Sequence, residues 1–338
     1  MPHTLYYITP DADGVWQVFR QTLDGRGQQE QITDAADDVI TYGLSERGEE
    51  IAYITSGELW LQTIGADDAQ SIAALKHDFD LGAPVFGVND NLIAYPDDGV
   101  WLFDRSTGET TQIVFGTVYD GGEKYRLYAP EAFVADAGGA NVILTIDLAA
   151  SGADTSAAYN FDTGALNEIV GVPGTNLLPL STGGALIYRN IGIAGEKILF
   201  IASDLDNLDD YSVLVDYKDL TEYVLYADQA RELALGHVRV FGSVWFRPED
   251  IVEAFYFDVD VTTGETGELQ LITISDDLPR NWAVGPLSPD GQMVLLYANE
   301  DYRPPSGGFH GEPILIDLMT GDQFEAGLPD DIGMAVWR

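Results

Sequence analysis

Leu287-Ser288-Pro289-Asp290-Gly291, an apolar run at 293–297, a second at 313–318, then Thr320-Gly321-Asp322: this stretch decides the fold. Proline at the second position of a turn presets φ, and Asp-Gly supplies the tight reversal between two paired strands. The Thr-Gly turn does the same one strand later. Working outward, the unit recurs. Leu44-Ser45-Glu46-Arg47-Gly48 is followed by apolar runs at 51–54 and 59–64. Runs at 86–89, 92–95 and 100–104 lead into Ser106-Thr107-Gly108-Glu109 and a strand at 112–114. Val244-Trp245-Phe246-Arg247-Pro248-Glu249-Asp250 precedes runs at 254–258 and 269–273, with Thr263-Gly264-Glu265 between them. Less regular units fill 131–171 and 174–227; in the second, 185–190 reads as an insertion or extra strand. The segment 228–235 is the one place where a helical turn is expected.

Four strands per unit, repeating every 40 to 50 residues or so, is the signature of a propeller blade. The N-terminus supplies three strands, at 5–9, 16–20 and 28–33, and 332–338 supplies the missing first one. Val336-Trp337-Arg338 read onto Pro2-His3 resembles the turn at 244–249. The expectation is therefore an all-β chain in one domain, 1–338: a seven-bladed β-propeller of four-stranded blades. Its C-terminal strand completes the N-terminal blade, which removes two exposed sheet edges. Six or eight blades are the alternatives.

The Ser-Pro-Asp-Gly turn with Leu-Leu-Tyr-Ala after it, Ile-Ala-Tyr-Ile at 51–54, and the Leu-Trp-Leu and Val-Trp-Leu third strands resemble the PD40 (WD40-like) repeats of TolB-like propellers. The resemblance implies the fold strongly. It also implies a protein-interaction platform outside the bacterial cytoplasm. Related propellers precede the hydrolase domain of prolyl oligopeptidases, and some relatives are lyases.

Charge is the extreme feature of the composition: 56 acidic against 16 basic residues, a net charge of −40. Such a surface repels the phosphate backbone of nucleic acids and anionic membranes, and keeps like molecules apart, so a monomer is expected. Hydrophobic residues make up 46% of the chain, enough for a packed core. No apolar run approaches the roughly 20 residues needed to span a bilayer. Cysteine is absent, which excludes disulfides and thiolate chemistry. The N-terminus has no leader pattern. An extracytoplasmic setting with a leader removed is the expectation, a cytoplasmic one the alternative. A start inside a blade also fits a domain whose partner is another domain of the same parent protein.

No nucleophile elbow, P-loop or dinucleotide fingerprint occurs. His3, His77, His237 and His310 show no metal-ligand spacing. No catalytic residue is assigned. One acidic run, Asp204-Leu205-Asp206-Asn207-Leu208-Asp209-Asp210, offers the hard oxygen ligands Ca²⁺ requires, with Asp204, Asp206 and Asp209 as candidates, although Leu208 breaks the EF-hand spacing. Two insertions are the candidate partner-binding loops, since binding residues gather on loops held by a rigid scaffold. One carries Tyr119, Tyr125, Arg126 and Tyr128; the other carries Tyr302, Arg303 and Phe309. Tyrosine and arginine are enriched at interface hot spots. The function expected is a non-catalytic bacterial scaffold that binds a protein or peptide through loops on one face. The alternative is a glycan- or peptide-acting hydrolase or lyase with carboxylates at the channel mouth.

Overall fold

The computed structural model describes residues 3–23, 28–66, 68–76, 82–87, 90–118, 125–136, 139–148, 155–168, 175–181, 184–189, 197–202, 211–216, 224–245, 252–273, 282–302, 309–324 and 327–338. Among these, every regular element is a β-strand.

The strands form six hydrogen-bonded sheets, laid out in chain order. First come β1 (Thr4–Pro10), β2 (Trp16–Thr22) and β3 (Glu30–Gln31). Then follow β4 (Thr41–Leu44), β5 (Glu50–Thr55), β6 (Glu58–Thr63) and β7 (Ala69–Ala74). The next sheet holds β8 (Val85–Phe86), β9 (Leu92–Pro96), β10 (Gly99–Asp104) and β11 (Glu109–Phe115). After it come β12 (Thr117–Val118), β13 (Tyr125–Asp136), β14 (Gly139–Leu148), β15 (Thr155–Asn160) and β16 (Leu166–Glu168). Four strands follow: β17 (Thr175–Pro179), β18 (Ala185–Arg189), β19 (Lys197–Ala202) and β20 (Tyr211–Asp216). A further sheet holds β21 (Val224–Ala234), β22 (His237–Trp245), β23 (Val252–Asp260), β24 (Glu265–Thr266) and β25 (Gln270–Thr273). Last are β26 (Trp282–Leu287), β27 (Met293–Tyr302), β28 (Phe309–Asp317), β29 (Gln323–Phe324) and β30 (Ile332–Trp337). Strand β30 pairs antiparallel with β1, Leu5 opposite Trp337 and Tyr6 opposite Val336, as the sequence suggested. It also touches β28, so β26–β29 and β30–β1–β2–β3 form one eight-stranded sheet.

The local chemistry of the turns repeats. Asp104, Asn160, Asp260 and Asp317 each accept the backbone N–H two residues on through a side-chain oxygen. Thr107, Thr163, Thr263 and Thr320 each accept the N–H of the residue after the following glycine. Gly108, Gly164, Gly264 and Gly321 all have φ between +70° and +76°, which the turn requires and glycine adopts freely. At the other turn, Ser45 and Ser288 accept the amides of Glu50 and Met293 through their hydroxyls.

Burial falls outward across the β4–β7 and β8–β11 sheets from the second strand to the fourth. Strand β5 is buried almost throughout, whereas β7 at the outer edge is mostly exposed. A central strand buried on both faces needs a continuous apolar run, and Ile51-Ala52-Tyr53-Ile54 is one. The core lies between successive sheets. Ala52, Ile54 and Leu59 meet Ile93, Tyr95 and Phe103. Leu186 and Tyr188 meet Val238, Val240 and Phe255. Phe241 and Ala254 meet Val294, Leu296 and Ile316. Leu5, Tyr7 and Trp337 meet Leu295, Tyr297 and Leu315. Turns between first and second strands also join neighbours: the Glu46 amide donates to Asp90, Ser181 donates to Glu232, and His3 contacts Asp290 at 2.8 Å. Arg231 and Arg338 donate to the carbonyls of Leu287 and Leu44, at the ends of the adjacent first strands.

Three readings of the sequence are corrected. The expected helical turn at 228–235 lies largely within strand β21, because pairing with β22 decides the backbone there. The run at 185–190 is β18, a regular second strand, not an insertion. Residues 224–226 therefore open the next sheet as the start of β21. As a consequence Val244 and Trp245 end a second strand paired with Glu253 and Val252. They are not the counterpart of Val336-Trp337, which end β30 opposite Tyr6 and Leu5 of β1.

Candidate functional site

In an antiparallel set of four strands, the first strand starts at the same end where the second and third meet. That end of β13 carries Tyr125 and Arg126, opposite Val118 and Thr117 of β12. The same end of β27 and β28 carries Tyr302 and Phe309, which are direct cross-strand partners. Both tyrosine-bearing insertions thus emerge at equivalent ends of their sheets. The acidic run at 204–210 follows the third strand β19, which places its anchors at the opposite end.

Residue by residue, Tyr119, Arg303, Asp204, Asp206 and Asp209 lie outside the described residues. Tyr128 is 4% exposed and packs with Ala94, Val100, Val114 and Ala157, so it belongs to the core. Tyr302 and Phe309 are brought together by register; Tyr125 and Arg126 sit on another sheet.

The β27–β28 hairpin is anchored beyond its own sheet. Its register shifts between Ala298 and Asp301, then His310 and Gly311 pair with Gly333 and Ile332 of β30. A side chain at Gly311 would place its Cβ 2.5 Å from the Ala298 carbonyl oxygen, so glycine permits that approach. His310 is buried with its ring edge-on to Trp16 at 4.7 Å, and Nδ1 lies 4.0 Å from Asp331. The Asp331 carbonyl accepts from Thr9, and the Trp16 amide donates to Asp38. Asp11 accepts from the amides of Asp13 and Val15 and shapes the neighbouring turn. The base of the hairpin is therefore fixed by backbone pairing and a buried aromatic contact, inside an acidic rim. Sequence reasoning placed Tyr302 and Phe309 on a loop but missed the Trp16–His310 clasp. The two residues are 294 positions apart and no local pattern links them.

The opposite end carries cations. Burial, then the charge of Arg338, pulls the Arg231 guanidinium below its ordinary pKa; both stay charged. Burial alone would raise Asp290, but hydrogen bonds from His3, Ser288 and the Gln292 amide prevail and hold it at about 2. No group of three or more His, Asp or Glu side chains converges as a metal site among the described residues.

No protein-family model matches the sequence, and comparison with curated proteins finds no relative. Solved structures are similar in fold. The β-propeller domain of the Trilobed protease from Pyrococcus furiosus is 12% identical, with 96% of this chain and 95% of that one covered and a TM-score of 0.54. An oligogalacturonate lyase in complex with manganese is 10% identical over 96% of this chain and 84% of that one, TM-score 0.52. TolB from Acinetobacter baumannii is 14% identical over 99% of this chain, which spans 66% of that protein, TM-score 0.48. The first two carry the conclusion: this all-β chain has a β-propeller fold.

Proposed function

We propose that the chain is a non-catalytic scaffold that binds a protein or peptide through the loops at the end of the sheets carrying Tyr302 and Phe309. The reading rests on one observation: the hairpin bearing these residues is tied to β30 by backbone pairs and to β2 by the Trp16–His310 contact. A hairpin base held this way fixes where Tyr302 and Phe309 leave the sheet, and a fixed attachment lowers the entropy lost on binding. The architecture that goes with it is a seven-bladed ring of TolB-type repeats, with β30 as the first strand of the N-terminal blade. The pairing of β30 with β1 and the apolar packing of β1 and β30 against β27 support that count. A monomeric bacterial protein outside the cytoplasm is the setting we assign, with the acidic run at 204–210 as a Ca²⁺ site.

The test is a photo-crosslinking residue placed at Phe309 and, in a second protein, at exposed Glu109 on the outer strand β11. Discrete adducts from position 309 alone, lost when Tyr302→Ala is added, support the reading. Equal labelling at both positions, or no adduct from 309, overturns it.

A further inference from the structure

Three successive second strands carry a tyrosine at the same place, facing the preceding sheet: Tyr7 on β1, Tyr53 on β5 and Tyr95 on β9. Each sits directly opposite an aromatic residue on the third strand, Phe19, Trp60 and Trp101 respectively. Tyr7 stacks on Phe19 and Tyr53 on Trp60 at nearly the same separation, 6.5 and 6.4 Å. The three differ at the hydroxyl. Tyr7 donates to Gln21 at 3.2 Å, and Tyr95 is hydrogen-bonded to Thr110. Tyr53 is 2% exposed, yet its hydroxyl has no hydrogen-bond partner among the described residues. The glutamine equivalent to Gln21, two positions past the aromatic partner, is Gln62. It spends both amide hydrogens on the carbonyls of Ile32 and Ala66.

The phenol instead lines a cavity of about 520 Å³ between the outer parts of the first two strand sets, together with Gln62, Asp34, Glu30 and Thr33. The hydroxyl faces the open cavity and is not sealed from solvent, so a donor arriving there takes the place of water on the phenol oxygen. Of the lining groups, Gln31 has spent one amide hydrogen on the Thr33 carbonyl, the phenol both donates and accepts, and the remaining free atoms are acceptors. The Gln62 carbonyl oxygen has no partner among the described residues, Asp34 brings a carboxylate, and the phenol oxygen accepts. Thr33 is committed to Gln17 and to the Val18 amide, and Glu30 to Arg20. Burial and the nearby Asp34 push the Tyr53 phenol up to about 12, so it stays neutral and Asp34 supplies the charge.

We propose that this cavity is a binding site for a primary ammonium group, its three N–H donors meeting Tyr53 Oη, the Gln62 carbonyl and the Asp34 carboxylate. An ammonium has three donors and no acceptor, which matches the three acceptor oxygens, with the phenol O–H left to solvent or to Asp34, and a chain of net charge −40 concentrates cations near its surface. The inference is independent of the partner-binding loops and stands or falls without them.

Calorimetric titration of the whole chain with butylammonium chloride tests it, against tetramethylammonium chloride and NaCl at matched ionic strength. Saturable binding of butylammonium is expected, with tetramethylammonium, which has the charge and no N–H, about tenfold weaker or worse. Asp34→Asn should weaken butylammonium about tenfold and Tyr53→Phe about threefold or more. Tyr53→Phe keeps the ring and its stacking, and an unchanged melting temperature would show the fold intact. No saturation by about 50 mM, equal binding of tetramethylammonium, or variants that bind like the parent would each overturn the site and leave counter-ion accumulation.

Discussion

Asp290 shows how much one turn residue carries. It caps its own turn through Ser288 and Gln292 and meets His3 across the junction with the N-terminal strands. Its folded pKa, about 2, lies below the ordinary 3.8. A depressed carboxylate stabilises the fold above its unfolded pKa and loses that contribution as pH falls through the folded value. The side chain is 38% exposed, so solvent screening reduces the contribution to about 1 kcal/mol. Asp290→Asn should therefore lower stability by about that amount at pH 7. The gap between parent and variant should shrink between pH 4 and pH 2 or so, as melts across that range will show. A gap that persists at the acid end would assign the loss to the turn geometry and not to the charge. Turn residues of this kind were legible in the sequence, because Ser-Pro-Asp-Gly and Thr-Gly act through contacts a few residues long. The vacant hydroxyl of Tyr53 was not, since it depends on how Gln62 turns toward Ile32, thirty positions away.

Strands are harder to read than turns, and the reason is visible in β21 and β18. Asp228-Gln229-Ala230-Arg231-Glu232-Leu233 has helix-forming composition, yet ladder pairing with β22 holds it extended. Strand β18 lies in the set with the weakest turn signals, so its place in the order was lost and the following strands slipped with it. Strand β30, in contrast, was placed because the N-terminal unit lacked one strand, and it pairs with β1 even though the likeness of 336–338 to 244–246 does not hold. Two buried tyrosines clasp it from opposite sides: the Ala335 amide donates to the Tyr297 oxygen at 3.0 Å, and Tyr42 donates to the Met334 carbonyl at 3.0 Å. Burial pushes both phenols far above their usual range, so neither titrates below strongly alkaline pH. Tyr297→Phe leaves a buried amide unpaired and should cost about 1–3 kcal/mol in urea unfolding; Tyr42→Phe should cost a similar amount. A loss below about 0.5 kcal/mol in both would mean that β30 is held by its apolar side chains alone. Gly43 is a stricter case. A Cβ there collides with the Pro84 carbonyl on the next sheet, so Gly43→Ala should lower the melting temperature by several degrees or prevent folding.

At the scale of the molecule, the packing that joins successive sheets works against charge. Clusters such as Tyr6, Ile8 and Val18 against Tyr42, Ile51 and Tyr53 hold neighbours together, while 56 acidic side chains repel one another around them. The propeller fold was legible because it repeats; the fixed base of the β27–β28 hairpin was not, because it depends on Trp16 meeting His310 from the far end of the chain. The charge offers a measurement that separates two roles for the acids. Raising NaCl from about 0.01 to about 0.5 M shortens the Debye length from roughly 30 to under 5 Å and should raise the melting temperature by several degrees. Millimolar CaCl₂ at matched ionic strength should add a further rise if Asp204, Asp206 and Asp209 hold the ion, because a ligand that binds only the folded state stabilises by mass action. Asp206→Ala should then abolish the calcium increment and leave the salt response unchanged. Calcium and sodium curves that coincide would remove the calcium site and leave the acids as a solvated, repelling surface, whose stability is set by screening alone.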